Sequence, residues 1–341
     1  MPSCRCRASW NSSTTGSEEA VLNSPLPRAG SYLRILLGLL LSLLAGVALF
    51  NVVVDPFERS GLFDLDLPRE AVASVVDYQV HKILKFERAP KPVIILGDSR
   101  SEALREEYFA ELGRLDVFNF AYGAGTLDEA IDTFWLADAT TRLEQVVIGV
   151  PFSLTNENNR LNRLPTARQV SRDLPSYYLS PLVTKASVLV LATAATGRSF
   201  VDEKPPMTRE AFWQHQLGPG ADLYCRRWSR PRVLLARLED VARHCREQGI
   251  DLVFLIPPTH DDLRALLPAH GLQEEYEAGK IELSRLGRVL DYDVPGPLTA
   301  DAANFDDPQH FNAAVARRLV RELAAALADS ASTAAKRPPV Q

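Results

Sequence analysis

The sequence has little of what metal and redox centres require. Its four cysteines lie at positions 4, 6, 225 and 245 without a CxxC motif, and its six histidines form no HExxH motif. This spacing argues against a structural metal site, and no motif calls for a cofactor, so we expect neither. Cys225 and Cys245 could pair in an oxidising compartment, and two unpaired, partly buried thiols are the alternative.

An excess of positive charge is also missing. The chain has 38 Lys and Arg residues against 43 Asp and Glu residues, which gives a formal net charge of -5. Such a surface is not built to neutralise a phosphate backbone, so nucleic acid is excluded as a partner. The hydrophobic content of 46% over 341 residues is sufficient for one large α/β domain or two ordinary ones.

One long stretch contains no charge at all. Residues 35–54 have only Ser42 and Asn51 as polar breaks, and their length suits the hydrocarbon layer of a membrane. We predict a transmembrane helix rather than a signal peptide, whose apolar part is usually about 7 to 15 residues, or a core helix, which would show a polar face. Arginines are more frequent in residues 1–34, a predicted disordered tail, than just after the apolar run, which favours a cytoplasmic amino terminus.

Beyond this run, strand-like and helix-like segments alternate. The strand candidates are residues 93–96, 117–120, 146–150, 252–256 and 289–292. The alternation predicts a three-layer, doubly wound (flavodoxin-like) α/β domain over residues 92–328, with a five-stranded parallel sheet. We interpret residues 55–91 as a stem, 153–230 as a mainly helical insertion and 329–341 as a disordered tail. Within the insertion, PLVTKASVLVLATAATG is too short to span a bilayer and is predicted to be a buried helix.

The first candidate site follows the first predicted strand. In VIILGDSRSEAL, the apolar run passes through Gly97 and Asp98 to Ser99, and a helix-forming sequence comes next. Functional groups of a doubly wound sheet collect beyond the carboxyl ends of its strands, where a helix N-terminus also offers unbonded amides. Ser99 is therefore a candidate nucleophile, and its amide a candidate oxyanion donor. The alternative is an ordinary N-cap serine.

A second candidate lies near the carboxyl end, in NFDDPQHF. Asp307 precedes His310 by three residues, a spacing that lets the carboxylate fix the tautomer of the imidazole and stabilise its charged form. His310 would then accept the Ser99 proton. The alternatives are Asp306 as the carboxylate, and a helix-capping Asp307 with a surface His310.

A third candidate is the small-residue loop after the second strand. Gly123, Ala124 and Gly125 would allow a backbone amide to approach an oxyanion. A dinucleotide-binding loop is excluded, because the position that needs the third glycine of GxGxxG is Asp128. A plain turn is the alternative.

Together these segments resemble the SGNH/GDSL hydrolase superfamily. A strand ending in Gly-Asp-Ser, a small-residue loop after the next strand and a C-terminal DxxH occur in the family's order over about residues 92–328. The segments VVVDPF, IPPTH and VLDYD are similar to single-pass members that handle O-acyl groups on surface polysaccharides. The resemblance implies a triad of Ser99, His310 and Asp307, and an oxyanion hole with the Ser99 amide and one from Gly123 to Gly125.

The chain departs from the family after the third strand. The family supplies an Asn side chain to the oxyanion hole there, but this strand leads into Pro-Phe-Ser at 151–153. Asn156, or else Asn158 or Asn159, is a candidate substitute, and a solvated loop asparagine is the alternative for each. Loss of one such donor costs a factor of roughly a hundred to a thousand in rate.

Two more side chains are candidates for binding substrate. Arg100 follows the nucleophile, where it could bind an anionic sugar or begin a solvated helix face. His260 follows the fourth strand in IPPTH, where it could line the pocket or be a satisfied structural histidine.

The resemblance implies acyl transfer through a Ser99 acyl-enzyme, as an esterase or an O-acyltransferase. The expected substrate is an acyl ester, above all an acetyl ester, of a cell-envelope glycan. The expected location is the periplasmic face of a bacterial inner membrane, with residues 35–54 as anchor and a multi-span membrane acyltransferase as partner. The alternative is a non-catalytic accessory protein that binds glycan in the cleft. The absence of the family's asparagine after the third strand favours this alternative.

Overall fold

Five apolar segments pair into one parallel β-sheet. The computed structural model describes residues 29–198, 200 and 207–335. The strands are β1 (Val93–Leu96), β2 (Val117–Asn119), β3 (Gln145–Gly149), β4 (Asp251–Ile256) and β5 (Arg288–Asp291), in the order β2-β1-β3-β4-β5. The predicted doubly wound α/β fold is confirmed, and each strand end lies within one residue of its predicted position.

The register of the sheet aligns the carboxyl ends of neighbouring strands. The paired residues at these ends are Ile95 with Asn119, Leu96 with Ile148, Gly149 with Leu255, and Ile256 with Asp291. The loops after β1, β2 and β4 therefore leave from the same edge, which is where a doubly wound sheet collects its functional groups.

Helices fill the connections between the strands and both ends of the chain. They are α1 (Ala29–Val54), α2 (Arg69–Val76), α3 (Tyr78–Arg88), α4 (Ser99–Glu102), α5 (Glu106–Ala110), α6 (Leu127–Thr140), α7 (Leu164–Arg172), α8 (Leu174–Tyr178), α9 (Pro181–Thr196), α10 (Arg209–His215), α11 (Val233–Gln248), α12 (Asp261–Arg264), α13 (Leu266–Ala269), α14 (Gln273–Leu286), α15 (Pro297–Ala300) and α16 (Ala313–Ala335). Short 3-10 turns occupy Phe152–Thr155 and Ala302–Asn304, and π-helical turns occupy Gln216–Gly220 and Asp222–Arg226.

The sheet is buried on both faces. Successive strand residues point to opposite sides, so Ile94 and Leu96 of β1 pack with α3, α6 and α11, while Val93 and Ile95 pack with α5 and α16. Both sets are apolar, as expected for parallel strands covered by helices on each side. The result is the three-layer arrangement that the sequence predicted.

The segment predicted as a stem, residues 55–91, belongs to the core instead. Four apolar side chains of α3 are buried in the larger core cluster: Val80, Ile83, Leu84 and Phe86. The Phe86 ring lies 5.0 Å from that of Phe118 and 4.7 Å from that of Phe120. The boundary at residue 92 is therefore wrong, because the hydrophobic face of α3 covers one side of the sheet.

The long apolar run forms α1, whose carboxyl end is built into the domain. The described residues contain one helix, Gly30–Val54, that is long and apolar enough to cross a membrane. Asn51 near its end is fully buried and donates to the Tyr178 carbonyl (2.8 Å) and to Thr184 Oγ1 (2.9 Å). The side-chain Oδ1 of Asn51 accepts from Ser187 Oγ at 2.8 Å. These bonds fix α1 to α8 and α9.

Both terminal helices extend beyond their predicted limits. α1 begins at Ala29 rather than at residue 35, and α16 continues to Ala335 rather than ending at residue 328. The alanine-rich sequence after residue 323 explains the second difference, since alanine has the highest helix propensity. The rest of the two predicted tails, residues 1–28 and 336–341, lies outside the described residues.

The insertion is mainly helical, but its most apolar helix is buried on one face only. The buried residues of α9 recur at helical spacing: Val183, Ala186, Ser187 and Val190. Val188 and Leu191 on the other side are exposed. The prediction of a buried helix therefore holds for half of α9. Cys225 and Cys245 are buried and unpaired, and burial raises the pKa of both thiols, that of Cys245 to about 12.

We expect Phe86→Ala to lower the free energy of unfolding by about 3–5 kcal/mol, because it opens a cavity among core aromatic rings. Denaturant titration of the full chain in detergent measures this change. Leu115→Ala, at a side chain that is 71% exposed, is the control and should stay within about 0.5 kcal/mol. Equal effects of the two substitutions would mean that α3 is a spacer after all.

Candidate active site

Ser99 is the first residue of α4, immediately after β1. The preceding turn requires Gly97, whose φ is +138° and where a Cβ would lie 2.4 Å from Ser101 Oγ. The Asp98 side chain caps the helix by accepting from the Arg100 amide at 3.0 Å. The N-cap is thus Asp98, so the alternative of Ser99 as the N-cap is wrong. As the first helical residue, Ser99 has an amide with no acceptor inside the helix.

The structure brings Ser99 and His310 together across 211 residues of sequence. Ser99 Oγ lies 2.7 Å from His310 Nε2, and His310 Nδ1 lies 2.6 Å from Asp307 Oδ2. An ionised carboxylate can only accept, so Nδ1 carries the proton and Nε2 is left to accept the serine hydroxyl. This chain of hydrogen bonds is the arrangement that activates a serine nucleophile.

The carboxylate in contact with the imidazole is that of Asp307. Asp307 is buried, and its second oxygen accepts from the amides of Gln309 (2.8 Å) and His310 (3.2 Å). Both carboxylate oxygens of Asp307 therefore accept hydrogen bonds, which fixes the orientation of Oδ2 toward His310 Nδ1. Asp306 is exposed and its amide donates to the His310 carbonyl, so the alternative of Asp306 as the carboxylate is wrong.

The insertion holds the loop that carries Asp307 and His310. Gln309, between these two residues, donates through Nε2 to Gln216 Oε1 at 2.6 Å, and both amide side chains are buried. Arg209 of α10 donates to the carbonyl of Phe305 at 3.0 Å. The contact between Gln309 and Gln216 was not predictable, because Gln216 belongs to no motif.

His260 lies behind the same loop and not in the groove beside Ser99. Its amide donates to the Pro308 carbonyl at 3.0 Å, and its Nδ1 accepts from the Asp262 amide at 3.1 Å. The ring packs edge-to-face on Trp213 and Phe305. Its Nε2 is buried and has no hydrogen-bond partner among the described residues. The geometry therefore gives His260 a structural role.

The loop after β2 approaches the nucleophile turn closely. A Cβ on Gly125 would lie 2.7 Å from the Gly97 carbonyl, so only glycine fits there. The Gly125 amide donates to the Tyr122 carbonyl at 2.9 Å and is not available to a substrate. Within the described residues, the amides of Gly123 and Ala124 make no hydrogen bond, so these two remain candidate oxyanion donors beside the Ser99 amide.

Of the three candidate asparagines after β3, Asn158 is exposed and Asn159 is half-buried, whereas Asn156 is not a solvated loop residue. Asn156 is buried, and its side-chain carbonyl accepts from the amides of Asn158 and Ser229, each at 3.0 Å. It shapes the start of the insertion. The expectation of a solvated loop residue is wrong at this position.

Arg100 is buried as well, so it does not begin a solvated helix face. Its guanidinium donates to Asp98 Oδ2 from Nε at 3.0 Å and to Ser153 Oγ at 2.6 Å. It is not among the residues that line the groove beside Ser99. Arg100 therefore connects the turn before Ser99 with Ser153 in the segment that follows β3.

Ser99 opens into a groove of about 880 Å³ between the former stem and the nucleophile helix. Lys82 of α3 donates to the Ala121 carbonyl, just before the oxyanion loop, and its Nζ lies 3.5 Å from Glu102 Oε1. Burial lowers the pKa of Lys82, and the Glu102 carboxylate opposes that shift. No motif includes these residues, and the signal that could have found them is the helical spacing of Tyr78, Lys82 and Lys85.

Among the described residues, no group of three His, Cys, Asp or Glu side chains is placed to hold a metal ion. The groups that the structure brings together at the site are the Ser99 hydroxyl, the His310 imidazole, the Asp307 carboxylate and backbone amides.

Comparisons with solved structures find similar folds at low identity. A Streptococcus pneumonia protein described as a platelet activating factor has a TM-score of 0.41 and 10% identity, over 76% of this chain and 95% of that one. An acylhydrolase from Bacteroides fragilis has a TM-score of 0.37 and 12% identity, over 70% of this chain and 92% of that one. An acetyl xylan esterase has a TM-score of 0.27 and 14% identity, over 69% of this chain and 98% of that one. No protein-family model and no curated protein matches the sequence.

We expect Asp307→Asn to lower kcat for ester hydrolysis by roughly 10⁴, because the amide no longer enforces the tautomer of His310. Steady-state hydrolysis of p-nitrophenyl acetate measures the loss, and circular dichroism checks the fold. The matched control is Asp306→Asn at the exposed neighbour, for which kcat should change by no more than about twofold. A similar small change for Asp307→Asn would remove it from the triad.

We expect Gln216→Ala to reduce kcat about tenfold with little change in KM, because it leaves the buried Gln309 amide without its acceptor and loosens the triad loop. The control is Gln214→Ala, an exposed glutamine of α10 two residues before Gln216. The comparison uses kcat and KM of the full chain for p-nitrophenyl acetate. Indistinguishable kinetics of the two variants would show that the insertion does not position the loop.

Proposed function

We propose that the chain is a membrane-anchored serine esterase or O-acyltransferase that acts on acyl esters, above all acetyl esters, of a cell-envelope glycan. The observation that carries this proposal is the unbroken chain of hydrogen bonds from Ser99 Oγ through His310 to Asp307, at the edge of the sheet where a groove begins.

The reaction follows from the positions of these groups. His310 Nε2 takes the proton of Ser99 as Oγ attacks the carbonyl carbon, while Asp307 stabilises the imidazolium. The amides of Ser99 and of Gly123 or Ala124 receive the oxyanion. His310 then gives the proton to the departing alcohol, which leaves an acyl group on Ser99. Water or a sugar hydroxyl attacks next, with His310 again as the base.

The proposed oxyanion hole has two backbone donors, the amide of Ser99 and that of Gly123 or Ala124, whereas three donors are usual. Removing one donor from such a hole costs about 2.7–4 kcal/mol of transition-state stabilisation. Slow turnover is the consequence. A tightly held acceptor alcohol would offset it, since binding energy from remote contacts also lowers the barrier.

The carboxyl end of α1 supports an anchor rather than a cleaved leader. Asn51 and Val54 are buried in the folded domain, so cleavage after the helix would remove part of the core. Residues 30–46 are exposed and measure about 25 Å, close to the roughly 30 Å of hydrocarbon in a bilayer. With the arginine-rich side inside, the domain faces the periplasm of a bacterial inner membrane. The exposed Val188 and Leu191 beside α1 leave room for a multi-span acyltransferase partner.

The second candidate is a non-catalytic accessory protein that binds glycan in the groove. The absence of the asparagine that the SGNH/GDSL family supplies after the third strand favours this candidate. A binding site, however, has no need of an imidazole held between a buried carboxylate and a serine hydroxyl at the edge where ligands bind. We therefore favour the enzyme.

The test is hydrolysis of p-nitrophenyl acetate by the full chain in detergent. We expect turnover in the wild type, loss of at least about a hundredfold in Ser99→Ala, and an acetylated Ser99 peptide after acid quench. Ser284→Ala, on the exposed side of α14, controls for nonspecific effects. Equal rates for the wild type and Ser99→Ala would leave the accessory protein as the better account.

A further inference from the structure

The groove beside Ser99, here the stem groove, lies between α2 and α3 on one side and α4 and α5 on the other. We infer that the stem groove binds the alcohol half of the ester, and that this alcohol is an uncharged, polyhydroxylated group such as a neutral sugar chain. The inference rests on the proposed function, because it assigns the substrate of the same Ser99.

The size of the stem groove exceeds what an acyl group needs. Its volume of about 880 Å³ lies within the roughly 300–1,000 Å³ of sites that enclose whole small molecules. An acetyl group fills only a small part of that space. The remainder is available to the group that leaves with the oxygen.

The charges that line the stem groove are largely matched. Five glutamates face two lysines and two arginines there. Lys85 Nζ lies 3.0 Å from Glu70 Oε1, and Arg317 pairs with Glu111. Burial lowers the pKa of His81, which keeps that ring neutral near pH 7. A polyanion would find no excess of positive charge, whereas hydroxyl groups can use the fixed donors and acceptors.

An aromatic ring at the start of α3 offers the stem groove an apolar surface. Tyr78 is 36% exposed, and the Lys82 ammonium lies 5.8 Å from its ring centroid. A tyrosine combines a flat apolar face with a polar edge, which suits a sugar ring with its C–H face and its rim of hydroxyls.

The stem groove is joined directly to the reacting groups. Glu102 is one turn after Ser99 on α4, and its Oε2 lies 3.6 Å from a Cβ built on Gly123. Lys82 pairs with Glu102 and donates to the Ala121 carbonyl. An alcohol bound against this pair therefore lies beside both the nucleophile and the oxyanion donors.

The experiment compares two substrates in the full chain, in detergent: p-nitrophenyl acetate and a partly O-acetylated gluco-oligosaccharide. In Tyr78→Ala we expect the ratio of kcat/KM, oligosaccharide over p-nitrophenyl acetate, to fall about tenfold, mainly through KM. The matched control is Trp135→Ala, since Trp135 is an aromatic residue outside the stem groove whose exposure, 37%, is close to the 36% of Tyr78. A ratio that falls no further in Tyr78→Ala than in this control would overturn the inference.

A binding measurement separates this inference from the proposed function. Ser99→Ala cannot turn over, so its affinity for the O-acetylated gluco-oligosaccharide is measured by calorimetry, with and without Tyr78→Ala. We expect the second substitution to weaken binding about tenfold. This result in a protein without esterase activity would refute the proposed function and keep the groove assignment. Unchanged affinity, or tighter binding of an O-acetylated oligoglucuronate, would refute the groove assignment alone.

Discussion

The hydrogen bond between the Ser99 hydroxyl and His310 Nε2 connects the end of the first strand with the loop before the last helix. It depends on the parallel sheet, which brings the carboxyl ends of the strands to one edge, and on Asp307, which is buried and turns the acceptor nitrogen of the imidazole toward the serine. Either change, a shifted loop or a flipped imidazole, would leave the serine an ordinary hydroxyl. The activity that we propose requires both conditions at once.

Two segments that do not belong to the alternating strands and helices, the insertion and the former stem, support this hydrogen bond. The insertion reaches the triad loop through Gln216, and the former stem reaches the oxyanion loop through Lys82. The insertion also contacts α1 through Asn51, so α1 and the loop that carries Asp307 and His310 are attached to the same segment. The domain is thereby held in a defined way at the end of α1 rather than on a flexible tether.

The sheet and the local placement of Ser99 and of the Asp307–His310 pair were predictable because their signals are local. Apolar runs marked the strands, and Gly-Asp-Ser and DxxH each place their residues by short-range turns. The burial of Arg100 was not predictable, because it depends on a distant residue. The Oγ of Ser153, 53 residues away, accepts a hydrogen bond from the Arg100 guanidinium. Asn156 was misjudged for the same reason, because a polar loop residue looks solvated until its tertiary partners are known. The stem was misjudged because the surface that the apolar face of α3 covers is formed by distant strands.

The central claim is that His310 activates the Ser99 hydroxyl, and the rate of fluorophosphonate labelling at Ser99 tests it most directly. We expect an adduct on Ser99 in the wild type and loss of most of its rate of formation in His310→Ala. No adduct at any pH, or equal labelling of the wild type and His310→Ala, would contradict it.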